Sequence, residues 1–213
     1  MENLTYIFNS TTRGQLVEFI TAMAHAIEPN KTAISPLPFM ISISGTANAG
    51  KSLFWDQIKD TRLNAPINDV ARSREAENNG RIYETWSGTD KETAQSLSIF
   101  FCNTQAMYIM GEDHLGISAF RKAIATHSAL ARKEKPLSSD EIAPFVCDDP
   151  RKFGDIILWS NEGMSVDISI RITSPYAMDL HRWSRKTALT IDNPELKKSP
   201  KFQGFLNRYC EIA

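Results

Sequence analysis

The stretch GTANAGKS, residues 45–52, decides the fold of this 213-residue chain. The apolar run PFMISIS at 38–44 precedes it and predicts a buried strand, while LFWDQIKD at 53–60 can begin a helix. Gly45 and Gly50 can adopt backbone conformations that other residues avoid. Consecutive N–H groups between them can therefore turn inward on an anion at the positive end of the helix. The pattern predicts a phosphate-binding loop between a strand and a helix.

The residues after the second glycine match the chemistry of a nucleoside triphosphate. Lys51 supplies a positive charge for the terminal phosphates, and Ser52 offers a hydroxyl to the magnesium ion that accompanies them. We therefore predict ATP and Mg²⁺ as cofactors, with Lys51 as a catalytic residue and Ser52 as a metal ligand. The predicted cofactor-binding residues are Gly45, Thr46, Ala47, Asn48, Ala49, Gly50, Lys51, Ser52 and Leu53.

The rest of the chain predicts the strands of a sheet around this loop. SLSIFFCN, QAMYIMGED and GDIILWSN are apolar runs typical of buried strands, and RIYETWSG has the composition of a short one. SVDISIRI and KTALTID alternate between apolar and polar residues, which favours antiparallel strands with one buried face. We predict an α/β fold, a P-loop NTPase-like three-layer sandwich whose mostly parallel central sheet is extended by an antiparallel hairpin from Ser165 to Asp192.

The remaining segments predict helices and loops. Apolar residues at helical spacing predict an amphipathic helix over residues 9–27, and a short helix is expected over 201–212. The segment 64–80 is polar and ends in Asn-Asn-Gly, so we expect a loop there. Residues 117–135 predict a helix with a basic face. The whole chain, 1–213, is expected to form a single P-loop NTPase domain.

Composition excludes several classes of protein. A content of 42% hydrophobic and 23% charged residues is typical of a folded globular domain, and the net charge of −1 gives no direct evidence for nucleic-acid binding. The three cysteines are widely separated and lack metal-ligand spacing, which favours reduced thiols. We see no leader segment and no apolar run near the roughly 20 residues that a membrane span requires. A cytoplasmic location without membrane contact is expected.

A phosphate loop also needs a carboxylate that holds the water shell of the metal ion. Glu84 lies in the short predicted strand, Glu112 and Asp113 follow the run AMYIM, and Asp155 precedes IILW. Asp155 lies at the beginning of its strand, whereas ligands gather at the carboxyl ends of parallel strands. The residues alone leave Glu84 and Asp113 as even alternatives.

The order of these segments resembles that of the TsaE family, the bacterial ATPase subunit of the machinery that makes threonylcarbamoyladenosine in tRNA. The resemblance rests on NSTTRGQLVEFITAMAHAI, ISISGTANAGKS, RIYETW and GDIILWSNEG followed by VDISIRI and RKTALTID, about the first 87 and last 60 residues. Only the phosphate loop is specific, and it departs from the family's GDLGAGKT at Thr46, Ala47 and Asn48.

The resemblance carries implications for residues and activity. RIYETW looks like the family's HFDLYR-like segment, which places Glu84 where the metal-binding Asp stands and so favours it as a catalytic residue and metal ligand. Leu158 stands where the family carries a functional Glu, so that hydrolysis depends on whether Glu162 replaces it. The resemblance implies a slow ATPase that works inside a tRNA-modification protein complex. It also leaves residues 88–149 as a helical insertion.

Two other function classes remain open. A small-molecule or nucleoside kinase uses the same loop and covers it with an arginine-rich lid, for which the basic insertion and Arg72, Arg74, Arg121 and Arg132 are candidates. A nucleotide-dependent interaction protein without turnover would agree with Leu158. A GTPase is disfavoured, because the chain's Asn-Lys pair, Asn30-Lys31, precedes the loop and lacks the following acid.

Overall fold

The computed structural model of the chain describes residues 4–28, 39–46, 48–69, 83–102, 156–159, 166–176, 179 and 182–213. For 67–69, 83–85, 96, 98, 100–102 and 156–159 it describes the backbone alone. The elements, in chain order, are β1 (Thr5–Ser10), α1 (Arg13–Ala26), β2 (Phe39–Gly45), α2 (Lys51–Arg62), β3 (Leu63–Asp69), β4 (Tyr83–Asp90), β5 (Ser96–Cys102), β6 (Ile156–Trp159), β7 (Ile168–Thr173), β8 (Arg185–Ile191), α3 (Pro194–Lys198), α4 (Pro200–Tyr209) and β9 (Glu211–Ile212).

The described strands form one mixed sheet in the order β3-β4-β5-β6-β2-β7-β8-β1-β9. The four central strands, β5, β6, β2 and β7, run parallel to one another. The other neighbouring pairs are antiparallel. The α/β class is confirmed, whereas the prediction of a mostly parallel sheet is wrong, because antiparallel pairs on both flanks outnumber the parallel pairs at the centre.

The sequence patterns did not predict two of the flanking strands. β3 occupies Leu63–Asp69, within the segment expected to be a loop, and β1 precedes α1. β1 shows little alternation, since its side chains are mostly half-buried rather than alternately buried and exposed. It lies between β8 and β9, and Thr5 pairs with Thr190. β1 therefore lacks the period of two that identifies a strand with one buried face, whereas β3 was missed because its segment is polar and rich in turn residues.

The hairpin of β7 and β8 has the buried and exposed faces that its alternating sequence predicts. β7 buries Ile168, Ile170 and Ile172 and turns Arg171 outward, and β8 pairs antiparallel with it. β7 also pairs in parallel with β2, so this strand joins the parallel centre to the antiparallel flank.

Helices α1, α2 and α4 share one hydrophobic core with the sheet face that carries the alternate residues of β2 and β7. Each large apolar side chain buried there contributes about 1.5–3 kcal/mol relative to an exposed one. A second helical layer would lie outside the described residues, so the three-layer arrangement stays a prediction. The buried core residues on these elements include Ile41, Ile43, Ile168, Ile170, Ile172, Leu16, Phe19, Ile20, Met23, Phe54, Ile58, Phe202, Phe205 and Leu206.

Arg62, the last residue of α2, joins three elements in the interior. Its side chain is 1% exposed and forms an ion pair with Asp90 at the end of β4. Its Nη1 donates to the backbone oxygens of Ala24 and Ile27, at 2.8 and 2.7 Å. These carbonyls end α1 and have no partner within the helix, so Arg62 supplies the hydrogen bonds that they need.

The segment predicted as an insertion begins inside the sheet. Residues 88–90 complete β4 and 96–102 form β5, which pairs with β4 and β6. The first part of the predicted helical insertion thus contains strands, and the segment beyond Cys102, up to residue 149, lies outside the described residues. The helix expected over 201–212 is α4, which ends at Tyr209.

No helix in the described ranges is long and apolar enough to cross a membrane.

Candidate functional site

The predicted phosphate loop lies at the middle of the sheet. β2 ends at Gly45 between β6 and β7, and α2 begins at Lys51. The loop thus leaves the carboxyl end of a parallel strand, which is where open α/β sheets place their ligands.

Gly45 is required by the close approach of two backbones. Its φ is +128°, and a Cβ built on it would lie 1.8 Å from the carbonyl oxygen of Ile172 in β7. The next residue, Thr46, donates its N–H to that same oxygen at 3.1 Å. No other residue type fits between these strands at this φ, so β7 fixes where the loop begins.

Gly50 ends the loop at the start of α2. It is the N-cap residue, with φ +106°, and no side chain caps this helix. The Leu53 N–H donates back to the Gly50 carbonyl at 3.0 Å. The first N–H groups of a helix carry its positive dipole end, so an uncapped end here suits an anionic ligand.

Lys51 reaches back across the loop that precedes it. Its Nζ donates to the carbonyl oxygens of Gly45, at 3.1 Å, and Thr46, at 2.9 Å. Burial lowers the pKa of Lys51 from its ordinary value. The ammonium group thus bonds to two neutral carbonyl oxygens, and a phosphate oxygen could replace them with a stronger bond between opposite charges.

The other predicted loop residues differ in their exposure. Ser52, the predicted metal ligand, is exposed in the first turn of α2, whereas Ala49 is fully buried and Leu53 packs against the core. Thr46 is exposed, and its Oγ1 accepts the Ser174 N–H at 3.1 Å. Asn48 has φ +57°, a left-handed conformation that Asn tolerates better than most residues. Ala47 lies outside the described residues.

Arg185 also belongs to this site, and the sequence analysis missed it. Its side chain is buried and donates to the carbonyl oxygens of Asn48 and Ala49. A signal was present, because Arg185 is in phase with Thr187, Leu189 and Ile191 on the buried face of β8. An arginine at a position that the alternation assigns to the buried face indicates hydrogen-bond acceptors within the protein, because a buried charge needs such partners.

Glu84, on β4, is separated from β2 by the strands β5 and β6. Glu84 on β4 pairs with Phe101 on β5, which pairs with Leu158 on β6, which pairs with Ile41 on β2. Three strand spacings separate the backbones of Glu84 and Ile41 by roughly 14 Å. The prediction that Glu84 and Ser52 hold one magnesium ion stays a prediction.

Several other predicted residues lie outside the described part of the chain: Glu112, Asp113, Asp155, Glu162, Arg72, Arg74, Arg121 and Arg132. Leu158 is placed by its backbone at the centre of the sheet, between β2 and β5. Within the described ranges, no group of three or more His, Cys, Asp or Glu side chains could hold a metal ion.

Comparisons with known proteins add little to this geometry. No protein-family model matches the sequence, and no curated protein matches it. Among solved structures, the chain is similar to the crystal structure of Bacillus subtilis YdiB, with 9% identity, a TM-score of 0.43 and coverage of 98% of both chains. A likeness at this level carries no conclusion about the chain.

Proposed function

We propose that this chain binds ATP with Mg²⁺ at the loop formed by residues 45–52. The observation that supports this most is the position of Lys51. Its ammonium group bonds to the carbonyl oxygens at the beginning of the loop while its backbone begins an uncapped helix. A cation and a helix N-terminus thus lie at one loop, which is the chemistry that a polyphosphate requires.

The chemical groups of this loop suit the predicted cofactors, ATP and Mg²⁺. Backbone N–H groups of the loop and the start of α2 would bind the phosphates, and Lys51 would contact the terminal ones. The exposed hydroxyl of Ser52 would hold magnesium. The acid that completes the metal's water shell is left open between Asp113 and Glu84.

We further propose a slow ATPase that works with protein partners, as the sequence resemblance to the tRNA threonylcarbamoyladenosine family implies. Leu158 supports slow turnover, since it stands where that family carries a functional Glu. Loss of turnover altogether would make the chain a nucleotide-dependent interaction protein. The two versions share the binding site and differ only in chemistry after binding.

Calorimetry on Lys51→Ala tests the binding site. Loss of the cation should weaken ATP binding at least tenfold, about 1.4 kcal/mol. Lys198→Ala is the matched control, because Lys198 is a 74% exposed lysine whose partner is Glu195 on the short helix α3. The control should bind ATP like the wild type. Equal affinity in a folded Lys51→Ala protein would show that the loop is not a nucleotide site.

Turnover measurements test the function class. The isolated protein should release ADP slowly or not at all, and nucleosides or small alcohols should not accelerate release. Pull-down from its own cell extract should recover tRNA-modification proteins. ADP formation that depends on an added small molecule, with phosphate transferred to it, would favour the kinase alternative.

A further inference from the structure

Arg185, the first residue of β8, binds the far side of the phosphate loop from within the core. Its Nε donates to the carbonyl oxygen of Ala49 at 3.0 Å, and its Nη2 to that of Asn48 at 3.2 Å. Its Nη1 donates to Ser174 Oγ at 2.7 Å and to the Ser184 carbonyl oxygen at 3.0 Å. The side chain is only 4% exposed. The planar guanidinium thus fixes two consecutive loop carbonyls at once.

These two bonds determine which way the next N–H groups point. In a trans peptide the C=O and the N–H lie on opposite sides. Holding the carbonyls of Asn48 and Ala49 toward Arg185 turns the N–H groups of Ala49 and Gly50 away from it. The Ala49 N–H accordingly points across the loop, to the carbonyl oxygen of Thr46 at 3.3 Å. A phosphate oxygen would have to replace the Thr46 oxygen as the acceptor of this N–H.

The guanidinium also places a positive charge beneath the loop. Its hydrogen bonds go to uncharged oxygens, so these partners do not neutralise it. One face lies over the ring of Trp183, 4.3 Å from its centroid. Trp183 also lies near the loop, since its Cη2 is 3.9 Å from a Cβ built on Gly50. Arg185 and Trp183 therefore support residues 48–50 from one side.

We propose that Arg185 is the positioning residue of the phosphate loop, where it orients the peptides of residues 48–50 so that their N–H groups face an anionic polyphosphate, with Trp183 holding its guanidinium in place. The ligand in this statement rests on the proposed function. The orientation of the loop by Arg185 can be tested without any ligand.

Amide hydrogen exchange of the full chain without nucleotide tests the orientation. Arg185→Lys keeps the charge but loses the planar fork, and exchange in the peptide 45–53 should rise about tenfold. Arg62→Lys is the matched control, because Arg62 is equally buried and also binds two backbone carbonyls, at the opposite end of α2. Its faster exchange should appear at residues 24–28 and leave 45–53 unchanged.

The outcomes separate positioning from a general structural role. Unchanged exchange at 45–53 in Arg185→Lys overturns the proposal, and so does an increase spread evenly over the chain in both variants. Should Arg185→Lys not fold, Trp183→Leu replaces it, because the loss of the aromatic face weakens the same contact and should raise exchange at 45–53 about threefold. No increase there would equally overturn the proposal.

ATP titration then connects the loop to its ligand. Arg185→Met, which loses both fork and charge, should bind ATP at least about tenfold more weakly than the wild type, and Arg185→Lys should lie between them. If Lys51→Ala abolishes binding while Arg185→Met binds normally, the proposed function stands and this inference fails. If the wild type binds no ATP, the proposed function fails, and hydrogen exchange alone decides the role of Arg185.

Discussion

Replacing Gly45 with Ala should be among the most damaging small substitutions in the chain. The new Cβ would lie 1.8 Å from the Ile172 carbonyl oxygen and 2.7 Å from its carbon. The contact is with backbone, which no side-chain rotation relieves. Ile172 would have to retreat by about 1 Å to reach even a tight contact, which moves β7 away from β2.

The cost can be estimated from two terms. A non-glycine residue at φ +128° adds strain of about 1–3 kcal/mol. Retreat of Ile172 also breaks the hydrogen bond from the Thr46 N–H to its carbonyl oxygen, which contributes about 1 kcal/mol. We therefore expect Gly45→Ala to lower the free energy of unfolding by about 2–4 kcal/mol.

Urea denaturation, with Gly204→Ala as the control, measures this effect. Gly204 lies on the exposed side of α4, and a Cβ there meets nothing within 4 Å. The control should gain about 0.5–1 kcal/mol, because alanine favours a helix. A loss below about 1 kcal/mol in Gly45→Ala, at an unchanged m-value, would refute the argument from close backbone approach.

Three further predictions concern charge and protonation. Burial alone would raise the pKa of Asp90, but hydrogen bonds from Arg62 and from backbone N–H groups lower it; its contribution is therefore complete at neutral pH and is lost as pH falls below about 4. Asp90→Asn should cost about 3 kcal/mol at pH 7 and flatten the acid limb of urea stability, and an unchanged limb would contradict this. If Glu84 holds the magnesium ion, Glu84→Gln should weaken magnesium-dependent ATP binding by calorimetry and leave metal-free binding nearly unchanged, because only the charge on the metal side is lost; a silent Glu84→Gln with a sensitive Asp113→Asn would contradict this. Burial raises the pKa of the Cys210 thiol to about 11, so iodoacetamide at pH 8 should label it about a hundredfold more slowly than an unfolded control by peptide mass spectrometry, and equal rates would contradict the burial.

The sequence predicted the elements in which the order of apolar and polar residues shows which face is buried. β7 and β8 alternate between apolar and polar residues because one face packs on the helices. β2, the loop and α2 were found because glycines and a lysine mark the turn itself. β1 was missed because a strand that is mostly half-buried has no period of two to detect. β3 was missed because its polar segment is typical of a loop.

The sequence could not predict which strands lie next to each other in the sheet. The family resemblance favoured Glu84 as the acid, and two strands, β5 and β6, lie between its strand β4 and β2. Lateral order depends on which strands pair, and periodicity within one strand carries no information about its neighbours. Arg185 illustrates the converse, because residues more than 130 positions apart in the chain meet at the loop.

The pairing of β1 with β8 has a consequence for how the chain folds during synthesis. Thr5 pairs with Thr190, and the phosphate-loop strand β2 pairs with β6 and β7 from much later in the chain. Contacts of such long range fold slowly, because a large loop must close before they form. At ordinary translation rates the amino-terminal strand waits roughly ten seconds or more for its partner. The phosphate loop is therefore synthesised early. It cannot take its folded shape until β7 and β8 have emerged from the ribosome.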